Sequence, residues 1–204
     1  MTEPATGRTG MLLQPLDGGR PFRFDPGTLC LELLMTGGPG IYARHEVLHD
    51  PAALVEWVRR SRLAPGLERV LSLRQEDVRD ARTVRDALLR LALDRARGGE
   101  LAAADLAVIN AAAAEPPLVP RIASDGTRAW APGATGPGLL STVARDAVDL
   151  FTGPFATRVR ECAAHDCYLL FVDTSRPGHR RWCTMERCGT RNKVRAHRAR
   201  TDTT

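Results

Sequence analysis

Four of the five cysteines fall in one short stretch, as Cys162-x4-Cys167 and Cys183-x4-Cys188 with 15 residues between the pairs. Two close pairs separated by a hairpin-sized insert supply what a tetrahedral zinc site needs. Each pair bends the chain into a knuckle with both thiolates on one side, and the insert folds back to bring the knuckles together. In the insert, Tyr168 to Asp173 reads as a strand, Arg176-Pro177-Gly178 as a turn, and His179 to Trp182 as the returning strand. Beyond Cys188 the chain has no proline and one glycine, Gly189, and reads as a helix to about Arg200. Two other uses of four cysteines stay open. Paired disulfides need an oxidising compartment, and an iron–sulfur cluster takes the same ligands, though no motif favours it. With zinc, four thiolates fill the coordination shell and no position remains to activate water. One Zn2+ held by Cys162, Cys167, Cys183 and Cys188 is therefore expected to be structural, stabilising the fold by about 10–16 kcal/mol as in comparable small sites. His165, His179 and His197 are nearby spare ligands, and Cys30, alone in an apolar segment, reads as a buried core thiol.

The remainder suits one ordinary domain ahead of that module. The chain has 204 residues, 43% of them hydrophobic and 26% charged, which excludes collagen-like, disordered and disulfide-scaffold classes. Its start, Met-Thr-Glu-Pro, lacks a basic segment followed by an apolar run, and no apolar run approaches the roughly 20 residues that cross a bilayer. A soluble, cytoplasmic protein without a membrane partner is expected. Residues 1–20 read as a flexible lead-in. Asp50-Pro51 opens a helix carrying Leu54, Trp57 and Val58, the aspartate as cap and the proline at the first helical position. The longest helix is expected from about Arg74 to Arg97, with Val78, Ala81, Val84, Leu88, Leu91 and Ala92 on one face, arginine and aspartate on the others, and Gly98-Gly99 at its end. Further helices are expected over 102–114 and 139–151. Asp125-Gly126 predicts a tight hairpin between Val119–Ala123 and Thr127–Ala131. The fold class is α+β, mainly α: a helical domain with small β-hairpins over 21–155, then a treble-clef-like zinc finger of knuckle, β-hairpin and helix over 156–204. The N-terminal part carries no catalytic constellation. His45 and His49 are four apart without a second ligand pair nearby, and Gly37-Gly38-Pro39-Gly40 lacks the lysine and hydroxyl of a phosphate loop. The chain is read as a non-enzyme.

The charge is lopsided. Residues 155–204 hold 11 Lys+Arg against 5 Asp+Glu, a balance of +6, while the other 154 residues hold 18 against 19. A neutral body with a basic end is what an anion-binding tail requires. On the last helix Arg187, Arg191, Arg195 and Arg198 fall within roughly 80° of arc at the α-helical period, with Lys193 and Arg200 on the opposite side. Arg180, Arg181, Arg187, Arg191, Lys193, Arg195 and Arg198 are the candidate nucleic-acid contacts, through phosphates and one or two guanine edges. The competing reading is structural. A Zn(Cys)4 unit carries a formal −2, and Arg180, Arg181 or Arg191 would then neutralise it or pair with Asp173. Trp182 reads as a core residue of the finger rather than a stacking platform.

The Cys162-x4-Cys167 pair, Phe171-Val172-Asp173-Thr174-Ser175, Arg180-Arg181-Trp182-Cys183-Thr184-Met185 and Cys188-Gly189-Thr190-Arg191-x-Lys193 together resemble the CGNR zinc finger. That bacterial family usually carries an N-terminal helical ABATE domain. Helix order and segments such as Val84-Arg85-Asp86-Ala87-Leu88 resemble it over about residues 20 to 155. Thr190 stands where the family has its signature asparagine, which keeps a hydroxyl but loses the amide's paired donor and acceptor. The resemblance implies a stress-induced transcription regulator. DNA is the expected partner, with the N-terminal domain serving dimerisation (a homodimer) or sensing a small-molecule effector. A protein-docking module whose basic helix meets an acidic partner is the alternative from another class. RNA binding through exposed aromatics is the third.

Overall fold

The longest amphipathic run forms the longest helix, and the other elements are arranged about it. The structure, a computed structural model, describes residues 10–15 and 19–201, with side chains through Arg195. Most of the expected lead-in and the side chains of His197, Arg198 and Arg200 lie outside the described residues. In chain order the first elements are β1 (Met11–Leu13), β2 (Phe22–Phe24), α1 (Leu29–Leu33), α2 (Pro51–Arg60), β3 (Leu71–Ser72) and α3 (Gln75–Arg97). They are followed by α4 (Ala103–Ala114), β4 (Pro120–Ile122), β5 (Arg128–Trp130), β6 (Ala134–Thr135) and α5 (Gly136–Thr152). The C-terminal part holds β7 (Val159–Glu161), β8 (Leu170–Val172), a π-type turn (Met185–Gly189) and α6 (Thr190–Thr201).

The apolar stripe of α3 is buried as its period predicts. Its N-terminus is closed by Asp77, which accepts the Arg74 backbone N–H at 2.6 Å, and Gly98 takes the left-handed cap at φ 74°. One side chain breaks the expected polar face: Arg85 is 1% exposed. In α2, Asp50 accepts the Ala53 N–H at 2.9 Å, and Leu54, Trp57 and Val58 are buried. Helices α4 and α5 pack on each other and on α3, and the short α1 packs on α5. Every residue of α1 is buried, Cys30 included. Helix α5 starts at Gly136, three residues before the expected Leu139, because Thr135 caps it by accepting the Gly138 N–H at 3.3 Å and Pro137 suits its first turn. His45 closes a two-turn 3-10 segment (Gly40–His45) and His49 lies beyond it, so the two imidazoles share no helical face.

The described strands form two-stranded ribbons. Pairs β1–β2, β4–β5 and β7–β8 are antiparallel, and β3–β6 is parallel. The β4–β5 hairpin turns at Asp125-Gly126 as expected. The finger hairpin differs from expectation. The strand at 168–173 does pair, as β8, but its partner is β7, ahead of the first cysteine pair, rather than His179–Trp182. Alternation explains the choice. Leu170 and Val172 point into the main core with Val159, while Phe171 points the other way, into a second core with Phe24 and the four cysteines. In the pairing, β7 supplies one apolar contact, Val159 opposite Val172, whereas Arg160 and Glu161 take the other two register positions. The polar run from Arg176 to Arg181 instead folds over Asp173, and the Ala163 N–H meets the Arg181 carbonyl at 2.9 Å. No helix among the described residues is long and apolar enough to cross a membrane.

Candidate metal centre and basic helix

Each cysteine pair is set by a local backbone device. The Cys162 N–H donates to the Leu169 carbonyl at 2.9 Å, extending the β7–β8 ladder to the first ligand position, and the Cys167 N–H donates to Ala164 at 3.1 Å to close the knuckle. At the second pair Thr184 caps the π-type turn, accepting the Arg187 N–H at 3.3 Å. Gly189 permits that turn to pack: a Cβ there would sit 2.7 Å from the Met185 sulfur and 3.3 Å from the Trp182 ring. All four cysteines are buried, and their sulfurs lie within 4.8 Å of one another. The Cys167–Cys183 and Cys183–Cys188 sulfurs are 3.7 and 3.4 Å apart. A tetrahedron with Zn–S bonds of about 2.3 Å has edges of about 3.8 Å, so the donor set fits one zinc ion, and iron–sulfur or disulfide readings are not needed. The Cys183 N–H points at the Cys162 sulfur, 3.4 Å away.

The thiols' electrostatics fit the same conclusion. Hydrogen bonds from Cys167 and Cys183 hold Cys162 far below the ordinary thiol range. The bond to Cys162 pushes Cys167 up to about 12, and Cys183 is driven up by Cys162, Cys167 and burial. Cys162 is thus eased toward the thiolate at the expense of Cys167 and Cys183, and the positive charge of a divalent cation would offset that mutual repulsion. Cys30 is the contrasting case, a thiol raised by burial and then by Asp146, as suits an inert core residue.

The basic side chains sort by what they touch. Asp173, fully buried, accepts the Ser175 N–H and hydroxyl at 3.0 and 2.6 Å and the Arg180 N–H at 2.8 Å. Burial alone would raise its carboxyl; these donors hold it below the usual range. The Arg180 guanidinium lies 4.3 Å over the Phe171 ring and donates to the Trp182 and Cys183 carbonyls. Arg191 donates to Asp166 at 3.0 Å and approaches the Cys188 sulfur at 3.6 Å, where it offsets the cluster's negative charge. Arg187 rests 4.4 Å over Phe22, and because it belongs to the π-type turn, the α-helical arc does not extend to it. Arg181 is exposed and stacks at 5.1 Å on Trp182, itself half-buried against the finger core. Lys193 and Arg195 are exposed on α6.

Two polar contacts were not anticipated from the sequence. The Thr190 hydroxyl donates to the Met185 carbonyl at 2.9 Å, and the Asn192 amide donates to the Cys188 carbonyl at 2.8 Å. Thr190 thus serves the π-type turn from within, and an amide two positions on holds the last ligand's carbonyl.

Comparison with known families bears on the same segments. The ABATE family, described as "Putative stress-induced transcription regulator", matches residues 27–154, more than half of the chain. The chain belongs to the ABATE family. The CGNR zinc finger matches residues 158–201, which hold all four clustered cysteines, so the ABATE region is followed directly by its metal-binding module. No curated protein matches the chain. The two segments meet closely. The Tyr42 hydroxyl donates to the Tyr168 carbonyl at 3.2 Å, Arg97 on α3 pairs with Glu161 on β7 at 3.0 Å, and the Val172 N–H donates to Pro26 at 2.8 Å.

Proposed function

We propose that this ABATE protein is a bacterial transcription regulator, induced by stress, that binds DNA through its zinc-organised finger. The zinc holds the π-type turn, and the turn launches α6. The observation that carries the reading is that Lys193 and Arg195 stand exposed on α6 while Arg180 and Arg191 are committed inside the finger. Lys193 and Arg195 are two residues apart, roughly 200° around the helix, so they flank it as phosphate contacts flank a helix lying in a groove. Arg181 adds a cation beside the second ligand pair. The four thiolates leave zinc no open position, so the metal's role in this reading is to hold the fold rather than to activate water, in keeping with a regulator rather than an enzyme. The ABATE region supplies dimerisation or effector sensing, and the site of action is the cytoplasm.

The test is selection from sheared genomic DNA by the zinc-loaded full chain at about 150 mM salt, which suppresses nonspecific binding. A recurring motif, in paired half-sites if the protein is a dimer, is the expected result. Joint replacement Lys193→Ala and Arg195→Ala should reduce the salt dependence by about 0.9 log units per lost phosphate contact. Uniform retention, or unchanged affinity in a folded, zinc-loaded double variant, would reject the reading. A second reading has its own observation: Met185 and Val194 are exposed large apolar side chains on the same module. They suit docking on a protein surface, which the exposed Lys193 and Arg195 beside them would favour to be acidic, and that reading gains if no DNA motif is enriched.

A further inference from the structure

A cleft of about 740 Å³ opens between the N-terminal region and the zinc knuckle, within the size range that takes small organic ligands. Its apolar wall includes Met11 and Leu13 of β1, Leu34 and Met35 after α1, and Trp57 of α2. The opposite wall is the finger itself, through Tyr168 and Leu169 beside Cys167 and through Arg187 beside Cys188.

The polar groups on this cleft are unequal. Its carboxylates are already neutralised by arginines: Glu46 by Arg85, Glu56 by Arg60, and Asp166 by Arg191. Of its three arginines, Arg60 is spent on Glu56 while Arg44 and Arg187 are not so paired. Arg44 lies 5.5 Å over the Tyr168 ring and Arg187 4.4 Å over Phe22. Neither guanidinium has a carboxylate partner among the described residues. A guanidinium resting on a ring face keeps its edge N–H donors for a further acceptor. Both line the one cleft together with His45, whose imidazole is held below its ordinary value by burial and then by Arg44 and Arg187.

We propose that this cleft binds a small amphipathic organic anion, its acidic head between Arg44 and Arg187 and its apolar body along Met11, Leu13, Met35 and Trp57. Charge complementarity selects the head, and the aliphatic and indole wall selects the body. The site touches the ABATE region on one side and both ligand knuckles of the finger on the other. An occupant therefore bridges the two and stiffens the finger's seat. This gives chemical content to the effector-sensing role proposed above, but binding is measured without DNA, so either can fail alone.

The probe pair is 1-anilinonaphthalene-8-sulfonate, an apolar fluorescent anion, and decanoate as its competitor, applied to the full chain with one zinc bound. Decanoate should displace the dye at a single site, and decanol, with the same body and no charge, should compete at least tenfold more weakly. The Arg44→Gln variant and the Arg44→Gln/Arg187→Gln double variant, each retaining one zinc per chain, should bind decanoate at least tenfold more weakly while decanol competition is unchanged. The exposed Arg44 makes its single variant informative even if the double variant loses metal. Absence of dye displacement, equal competition by decanol and decanoate, or undiminished decanoate binding by Arg44→Gln would overturn the proposal.

Discussion

Arg85 is the side chain whose burial most contradicts its chemistry. Its guanidinium grips Glu46 through two hydrogen bonds of 2.9 and 2.8 Å, donates to Asp86 at 2.9 Å, and is 1% exposed. A charge so placed is tolerable only beside ionised carboxylates; leaving it with none would cost about 3–5 kcal/mol, and with Asp86 still beside it the loss of Glu46 costs less than that. Glu46 answers in kind. Burial alone would raise its carboxyl, but Arg85, the Leu48 N–H and Arg82 hold it below its ordinary 4.5. A depressed folded-state pKa contributes stability that is complete above 4.5 and fades as pH falls through the folded value. Glu46→Gln should therefore be destabilised at pH 7, and its gap from the parent should narrow steadily below pH 4.5. Urea midpoints of both proteins between pH 7 and 3 measure this, and metal loss in acid cancels because both carry the same finger. A gap that stays constant with pH would mean that Glu46 acts through shape rather than charge.

At the scale of elements, α2, α3, α4 and the β4–β5 hairpin were legible because each carries its own punctuation: Asp50-Pro51, Gly98-Gly99, the alanine run before Pro116-Pro117, and Asp125-Gly126. Elements defined by distant partners were not. Helix α1 has five residues, all buried, so no periodicity can appear in it. Strands β3 and β6 are two residues each and pair across the segment from α3 to β5 that separates them in the chain. The metal ligands were legible for a related reason: their spacing along the chain fixes their geometry. The arginines' roles were not, since a positive charge does not say whether a ring, a carbonyl or solvent will receive it; Arg180 and Lys193 look alike in sequence. Gly136 shows the same limit. Gly-Pro-Gly reads as a linker, yet it opens α5, and a Cβ at Gly136 would run into the Asp77 carboxylate that closes α3. Gly136→Ala, although alanine is the better helix former, should lower stability by about 1–3 kcal/mol through that overlap. A higher denaturation midpoint in the variant would show that Asp77 can swing aside without loss.

Across the whole molecule, β8 decides how the parts depend on each other. Leu170 and Val172 belong to the core built on α1 to α5, whereas Phe171, between them, belongs to the core built on Phe24 and the cysteines. Three residues thus place the helical domain and the metal module on opposite faces of one strand. A finger hung on a free linker would lose its fold with its metal and leave the rest unchanged. Here the metal's loss frees the last ligand pair, uncovers Phe171 and Phe24, and withdraws the support on one side of β8, whose other side is the main core. Chelation at pH 7, or Cys183→Ser, should therefore remove one zinc per chain and lower the thermal midpoint of the entire protein in a single transition. Hydrogen exchange should quicken at Val159 and Val172 as well as around Cys183. Calorimetry with metal analysis measures the first, and exchange mass spectrometry the second. A helical-domain transition at the unchanged temperature after metal removal would show the two cores to be energetically separate. The expectation of one transition follows from Phe171 and Val172 being neighbours in the chain: neither core can lose the strand without disturbing the other.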